Sequence, residues 1–165
     1  MNAFPESPFG PADRLDLDTV PLAVIRHNGI RLADIQEAFD AGYSAIALTF
    51  AGDVLVPTGP ALAIYHGDPM DVFDLELGFP VQTPPENPIP TASGRVIVAS
   101  RLPAGPAVAT TLFGSYEELG GAWGGLVERA GAQGLRPGGV WIEIYVSDPS
   151  TTPSELRTDL VMPTA

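Results

Sequence analysis

The chain has 165 residues, 20 acidic against 8 basic, for a formal net charge of −12. Every basic residue is an arginine, cysteine is absent, and Gly and Pro contribute 18 each. The length suits one domain with a real core, the 45% hydrophobic content excludes a disordered chain, and the acidity excludes binding to a phosphate backbone.

Without cysteine there is no thiolate nucleophile, thiolate metal site or disulfide. No charged segment followed by an apolar one marks a secretory leader. No apolar run approaches the roughly 18 residues that cross a membrane. A cytoplasmic protein with no membrane and no direct nucleic-acid contact is therefore expected.

The first 19 residues contain Pro5, Pro8, Gly10 and Pro11 and read as a flexible lead-in. A single domain is expected from residue 20 to 165. Pro21–His27 is β-rich and ends at Asn28-Gly29. Between Arg31 and Ala47, Leu32, Ile35, Phe39, Tyr43 and Ile46 fall near one helix face, with Gly42 as a weak point. Ala61–His66 and Val72–Phe79 read as strands. Residues 82–93, QTPPENPIPTAS, hold four prolines and read as a linker.

A second series follows. Arg95–Arg101 and Ala107–Phe113 read as strands. Ser115 with Glu118 matches a capping box opening a helix whose apolar stripe is Leu119, Trp123, Leu126/Val127 and Ala130. Gly120, Gly121, Gly124 and Gly125 interrupt that helix, a composition suited to close packing on a sheet. Val140–Val146 and Leu156–Met162 complete the strands. The pattern I-Y-x-x-D-P occurs twice, at Ile64–Pro69 and Ile144–Pro149, and Pro21 with Gly29 parallels Pro106 with Gly114. These landmarks predict a duplication, repeat 1 at about 20–81 and repeat 2 at about 94–163.

Val140–Val146 carries the most chemistry. Side chains alternate on a strand, so Val140, Ile142, Ile144 and Val146 share one face and Trp141, Glu143 and Tyr145 the other. Neighbours on one face are about 6.6 Å apart, which puts the carboxylate between two aromatic rings. Rings and a partly buried carboxylate both attract cations. The other reading is that a helix covers this face and Glu143 reaches an arginine.

Leu102-Pro103-Ala104-Gly105, Gly114-Ser115-Tyr116, Ala122-Trp123, Trp141-Ile142-Glu143-Ile144-Tyr145, Asp148-Pro149 and the closing Thr158 to Pro163 stand in this order. The series resembles a GyrI-like small-molecule-binding domain, which also forms the effector-binding part of some AraC- and MerR-type regulators. The resemblance runs from about Val20 to the C-terminus and is best in the second half. It implies an α+β fold, a tandem duplication of a strand–helix–strand–strand unit. Its antiparallel sheets would form a concave ligand groove with helices packed behind.

It further implies that Glu143 contacts ligand and that Tyr116 and Tyr145 line the groove. Trp141, Tyr65, Ala63 and Phe113 complete the candidate lining. Two departures affect the expected ligand shape: Gly29-Ile30-Arg31 stands where the first repeat would have G-x-Y, and the helix around Trp123 is glycine-rich. With no helix-turn-helix in the sequence, a stand-alone form is expected.

The expected function is binding of small hydrophobic or cationic organic molecules at Glu143. One alternative, from the resemblance, is a hydrolase that detoxifies reactive cyclopropane-type compounds with Glu143 as general base. Another is interaction with a protein partner such as gyrase. His27 and His66 lack metal-ligand spacing, and Asp68 and Asp71 beside His66 read as a turn, so no metal or cofactor is expected.

Overall fold

The computed structural model describes residues 4–51, 55–91, 94–147 and 151–165. The strands are β1 (Asp13–Leu17), β2 (Pro21–Ile30), β3 (Ala61–Gly67), β4 (Phe73–Pro80), β5 (Ile89–Pro90), β6 (Val96–Arg101), β7 (Gly105–Phe113), β8 (Val140–Tyr145) and β9 (Arg157–Pro163). Helix α1 (Ile35–Ala51) lies between β2 and β3, and α2 (Leu119–Ala132) between β7 and β8.

The chain forms two compact units. One is Thr19–Leu102; the other joins residues up to Asp18 with Pro103–Ala165. Each contains one strand–helix–strand–strand repeat, β2-α1-β3-β4 or β7-α2-β8-β9, and the fold is α+β as the sequence implies. Within the first unit the strands run β3-β4-β2-β6-β5, and within the second β8-β9-β7-β1. Both units therefore place the second, third and first strands of the repeat in the same order, followed by β6 and β5 in the first unit and by β1 in the second. The register agrees as well: Ile64 and Tyr65 pair with Glu76 and Leu75, as Ile144 and Tyr145 pair with Asp159 and Thr158.

Three boundaries differ from the sequence reading. Residues 13–17 are not a loose lead-in. They pair antiparallel with β7 and bury Leu15 and Leu17, because alternation resumes once the prolines end. The segment 82–93 contains β5, a two-residue strand at a sheet edge, where Pro90 is tolerated. β6 pairs with β2, so the first unit extends through Leu102 rather than ending before the linker. Asp148-Pro149, half of the second I-Y-x-x-D-P pattern, lies outside the described residues.

Each helix buries its stripe on its own sheet. Ala45 and Ile46 of α1 pack with Ala23, Ile25 and Ile97. At Gly42 an added Cβ would lie 3.1 Å from the Leu77 side chain, a tight approach where α1 crosses the sheet. Leu126 and Ala130 of α2 pack on Val108, Leu160 and Met162, with Leu119, Trp123 and Val127 beside them. The stripe is the one that helical spacing predicts, but the start differs. A 3-10 turn at Tyr116–Glu118 precedes α2, and Ser115 makes no side-chain cap.

Candidate functional site

β8 is continuous, and its alternation holds as predicted. Ile142 and Ile144 are buried on one face. On the other, Glu143 pairs across with Leu160, whose side chain meets α2. Helix α2 thus covers the Glu143 face. Glu143 is only 5% exposed.

Two uncharged donors hold the carboxylate within this unit. The Trp123 indole Nε1–H donates to Oε2 at 2.8 Å, and the Tyr145 hydroxyl donates to Oε1 at 2.7 Å. Hydrogen bonds to an ionised acceptor are roughly twice as strong as neutral ones. The rings are locked in turn. Trp123 stands edge-on to Trp141, with centroids 5.4 Å apart and planes at 90°. Tyr145 meets Tyr116 edge-on at 5.8 Å and 76°. Such pairs contribute about 0.5–1.5 kcal/mol beyond area burial. The result is one carboxylate framed by Trp123, Trp141, Tyr145 and, at the rim, Tyr116, which is 45% exposed. Partial burial pushes the Tyr116 phenol above its ordinary value.

The structure brings together Glu143, Trp141, Tyr145 and Tyr116. It separates Phe113 from them. Phe113 pairs with Arg157, two positions from Asp159, whereas Glu143 pairs with Leu160, so Phe113 points to the opposite face and is largely exposed. Tyr65 and Ala63 belong to the other unit and are buried there, with Tyr65 against Phe73. Trp123 is the residue that sequence reasoning missed in this role. It reads as part of a helix stripe, and only the fold shows its N–H on Glu143.

The first unit holds a second polar cluster. Glu76 on β4 accepts from Ser100 Oγ at 2.6 Å, His66 Nε2 at 2.6 Å and Arg26 Nε at 3.4 Å. Burial pushes its carboxyl up, but hydrogen bonds from His66 and Ser100 and the charges of His66 and Arg26 outweigh this and hold it below its ordinary value. The sequence reading ends a strand at His66 and gives Asp68 and Asp71 to a turn. Asp68 does form that turn, accepting the Met70 N–H, while the His66 ring turns to Glu76. Among the described residues, no three acidic or histidine side chains gather as metal ligands.

No protein-family model and no curated protein matches the chain. Solved structures do. The EcmrR C-terminal domain superposes with a TM-score of 0.74 at 17% identity, over 93% of this chain and 96% of that one. SAV2435, solved bound to tetraphenylphosphonium, gives 0.64 at 11% identity, over 93% of both chains. A protein described as a hydrolase from Listeria innocua gives 0.63 at 15%, over 97% and 94%. The chain has the GyrI-like fold. At these identities the GyrI-like assignment rests on architecture: two βαββ repeats of matching strand order. Among the described residues, no helix is long and apolar enough to cross a membrane.

Proposed function

We propose that the cluster around Glu143 binds small aromatic cations. The observation that carries this reading is a 5% exposed carboxylate that accepts from an indole and a phenol and is set among four aromatic rings. A desolvated cation on a ring face gains about 2 kcal/mol or more, and the carboxylate adds Coulombic attraction in a low-dielectric setting. Trp123 covers Oε2, so a cation gains full contact when the indole withdraws. Tyr116 and Tyr145 offer the outer landing surface. Tetraphenylphosphonium, the ligand in the SAV2435 structure, has this chemistry and is the natural probe.

The chain has two tryptophans, and both stand in the cluster, so tryptophan emission reports on this part of the molecule. Titration with tetraphenylphosphonium is expected to change that emission saturably. Glu143→Gln keeps the shape and removes the charge. It should weaken the phosphonium at least about tenfold while leaving neutral triphenylphosphine oxide within about twofold. Equal losses for both compounds would refute charge recognition.

Hydrolysis is the second reading, motivated by the Tyr145 hydroxyl on Glu143, an arrangement able to move a proton between the two. Mass spectrometry of an electrophilic cyclopropane compound after incubation with the wild type and Glu143→Ala decides it. Equal turnover by both proteins removes the reading.

A further inference from the structure

Among the described residues, two buried side-chain atoms make no hydrogen bond: Nε2 of His27 in the first unit and Oγ1 of Thr158 in the second. A buried hydroxyl without a partner is costly, because it gives up water and gains no bond in return. Thr158 is fully buried, on β9, an inner strand of its sheet.

The register fixes the face on which Thr158 stands. It pairs with Tyr145 on one side and with Leu112 on the other. Glu143 pairs with Leu160, two positions further along β9. Residues directly opposite each other on paired strands share a face, and so do residues two apart on one strand. Thr158 therefore lies on the face that α2 covers, together with Glu143 and Tyr145. It is directly opposite the tyrosine whose phenol bonds Glu143, and diagonal to Glu143 itself.

The first repeat supplies the comparison. Ala63 pairs with Leu77 and Tyr65 with Leu75, in the register of Glu143 with Leu160 and Tyr145 with Thr158. Ala63, Leu75 and Leu77 are buried and apolar. Tyrosine and leucine recur in the second repeat, but Glu143 stands in the place of Ala63 and Thr158 in the place of Leu75. An acid and a hydroxyl are thus diagonal neighbours where the other repeat packs two apolar side chains. The acid accepts from Trp123 and Tyr145, whereas the hydroxyl has no partner. Packing alone is served by an apolar residue, as Leu75 shows, so the hydroxyl calls for another role.

We infer that Thr158 is a second polar contact for the ligand at Glu143, and that it makes the site select a protonated amine over a quaternary cation. The inference rests on the reading of Glu143 as a cation site and names the class of cation. A protonated amine carries N–H donors together with its charge. One N–H donates to the Glu143 carboxylate and another to Thr158 Oγ1, and such charge-assisted bonds are roughly twice as strong as neutral ones. Diagonal neighbours on adjacent strands have Cβ atoms roughly 7 Å apart, and one nitrogen donating two bonds of about 2.8 Å spans acceptors up to about 5.5 Å apart. A quaternary ammonium or phosphonium still gains the attraction of the carboxylate and the ring faces, but it leaves the hydroxyl unpartnered.

The test is calorimetric titration of the full chain with biphenyl-4-ylmethylammonium and with its N,N,N-trimethyl derivative. The two share a ring system and a charge and differ in their N–H bonds. The wild type is expected to bind the ammonium at least about tenfold more tightly. Thr158→Val exchanges the hydroxyl for a methyl group of similar size. It should raise the ammonium Kd at least about tenfold and leave the trimethyl compound within about twofold. It should not lower Tm, since the free protein loses no hydrogen bond. Thr158→Ser retains the hydroxyl and should retain the preference, while Glu143→Gln should weaken both ligands. Equal affinities in the wild type, or a preference that persists in Thr158→Val and is therefore steric, would overturn the role of Thr158 and leave the Glu143 reading standing. Binding of neither ligand, or Glu143→Gln without effect on either, would overturn both.

Discussion

The glycines of α2 offer the sharpest test of how the Glu143 cluster opens. Gly120, Gly121 and Gly124 are exposed, and a Cβ added at any of them meets nothing within 4 Å. They therefore do not serve close packing on the sheet, as their composition suggests in the sequence. Their main effect is to weaken the helix that carries Trp123. Glycine costs about 0.5–1 kcal/mol against alanine at an exposed helical site. Gly120→Ala, Gly121→Ala and Gly124→Ala together should stabilise the second unit by about 1.5–3 kcal/mol. For a chain of this length each kcal/mol raises Tm by about 2–4 °C, so a rise of about 3–12 °C is expected in calorimetry. If Trp123 must withdraw for a cation to reach Glu143, the same energy opposes opening. Stopped-flow Trp fluorescence with tetraphenylphosphonium should then show association slowed about tenfold to a hundredfold. An unchanged Tm would refute the view that these glycines weaken the helix. A raised Tm with unchanged association would refute Trp123 as the cover.

Other outcomes follow from the same geometry. Trp123→Phe keeps a ring and removes the indole donor; it should cost about 1–3 kcal/mol in urea denaturation and leave Glu143 more open to a cation. An undiminished stability would show that the 2.8 Å bond contributes nothing. Acid should destabilise the first unit in two stages. His27 is buried, its Nε2 has no partner, and burial with the nearby Arg95 charge lowers its pKa, so the unfolded chain takes up the proton first. Stability present at neutral pH is therefore lost as pH falls below about 6.5. The lowered Glu76 adds stability above about 4.5 that is lost as pH falls through its folded value. Urea midpoints between pH 8 and 3 check both, and a flat profile from pH 7 to 5 would contradict the buried neutral His27.

The parts legible in the sequence are those that local periodicity records. β8 alternates cleanly, so Glu143 with Trp141 and Tyr145 could be placed on one face before any fold was known. The α2 stripe was legible for the same reason. What escaped depends on partners far along the chain. Trp123 reaches Glu143 from 20 positions away, and nothing local separates an indole donor from one more core ring. The Glu76 cluster draws on β2, β3, β4 and β6, with Ser100 24 positions from Glu76 and Arg26 50 positions from it. β1 escaped because prolines just before it mask a five-residue alternation. Phe113 was misplaced because its face is set by the pairing with β9: Phe113 pairs with Arg157, whereas Glu143 pairs with Leu160, on the other face.

The aromatic carboxylate site is tested most directly by intermolecular NOEs between tetraphenylphosphonium protons and the bound protein. The geometry predicts contacts to the rings of Tyr116, Tyr145 and Trp141, lost together in Glu143→Gln. NOEs to residues elsewhere, or contacts at these rings that persist undiminished in Glu143→Gln, would contradict a site centred on Glu143.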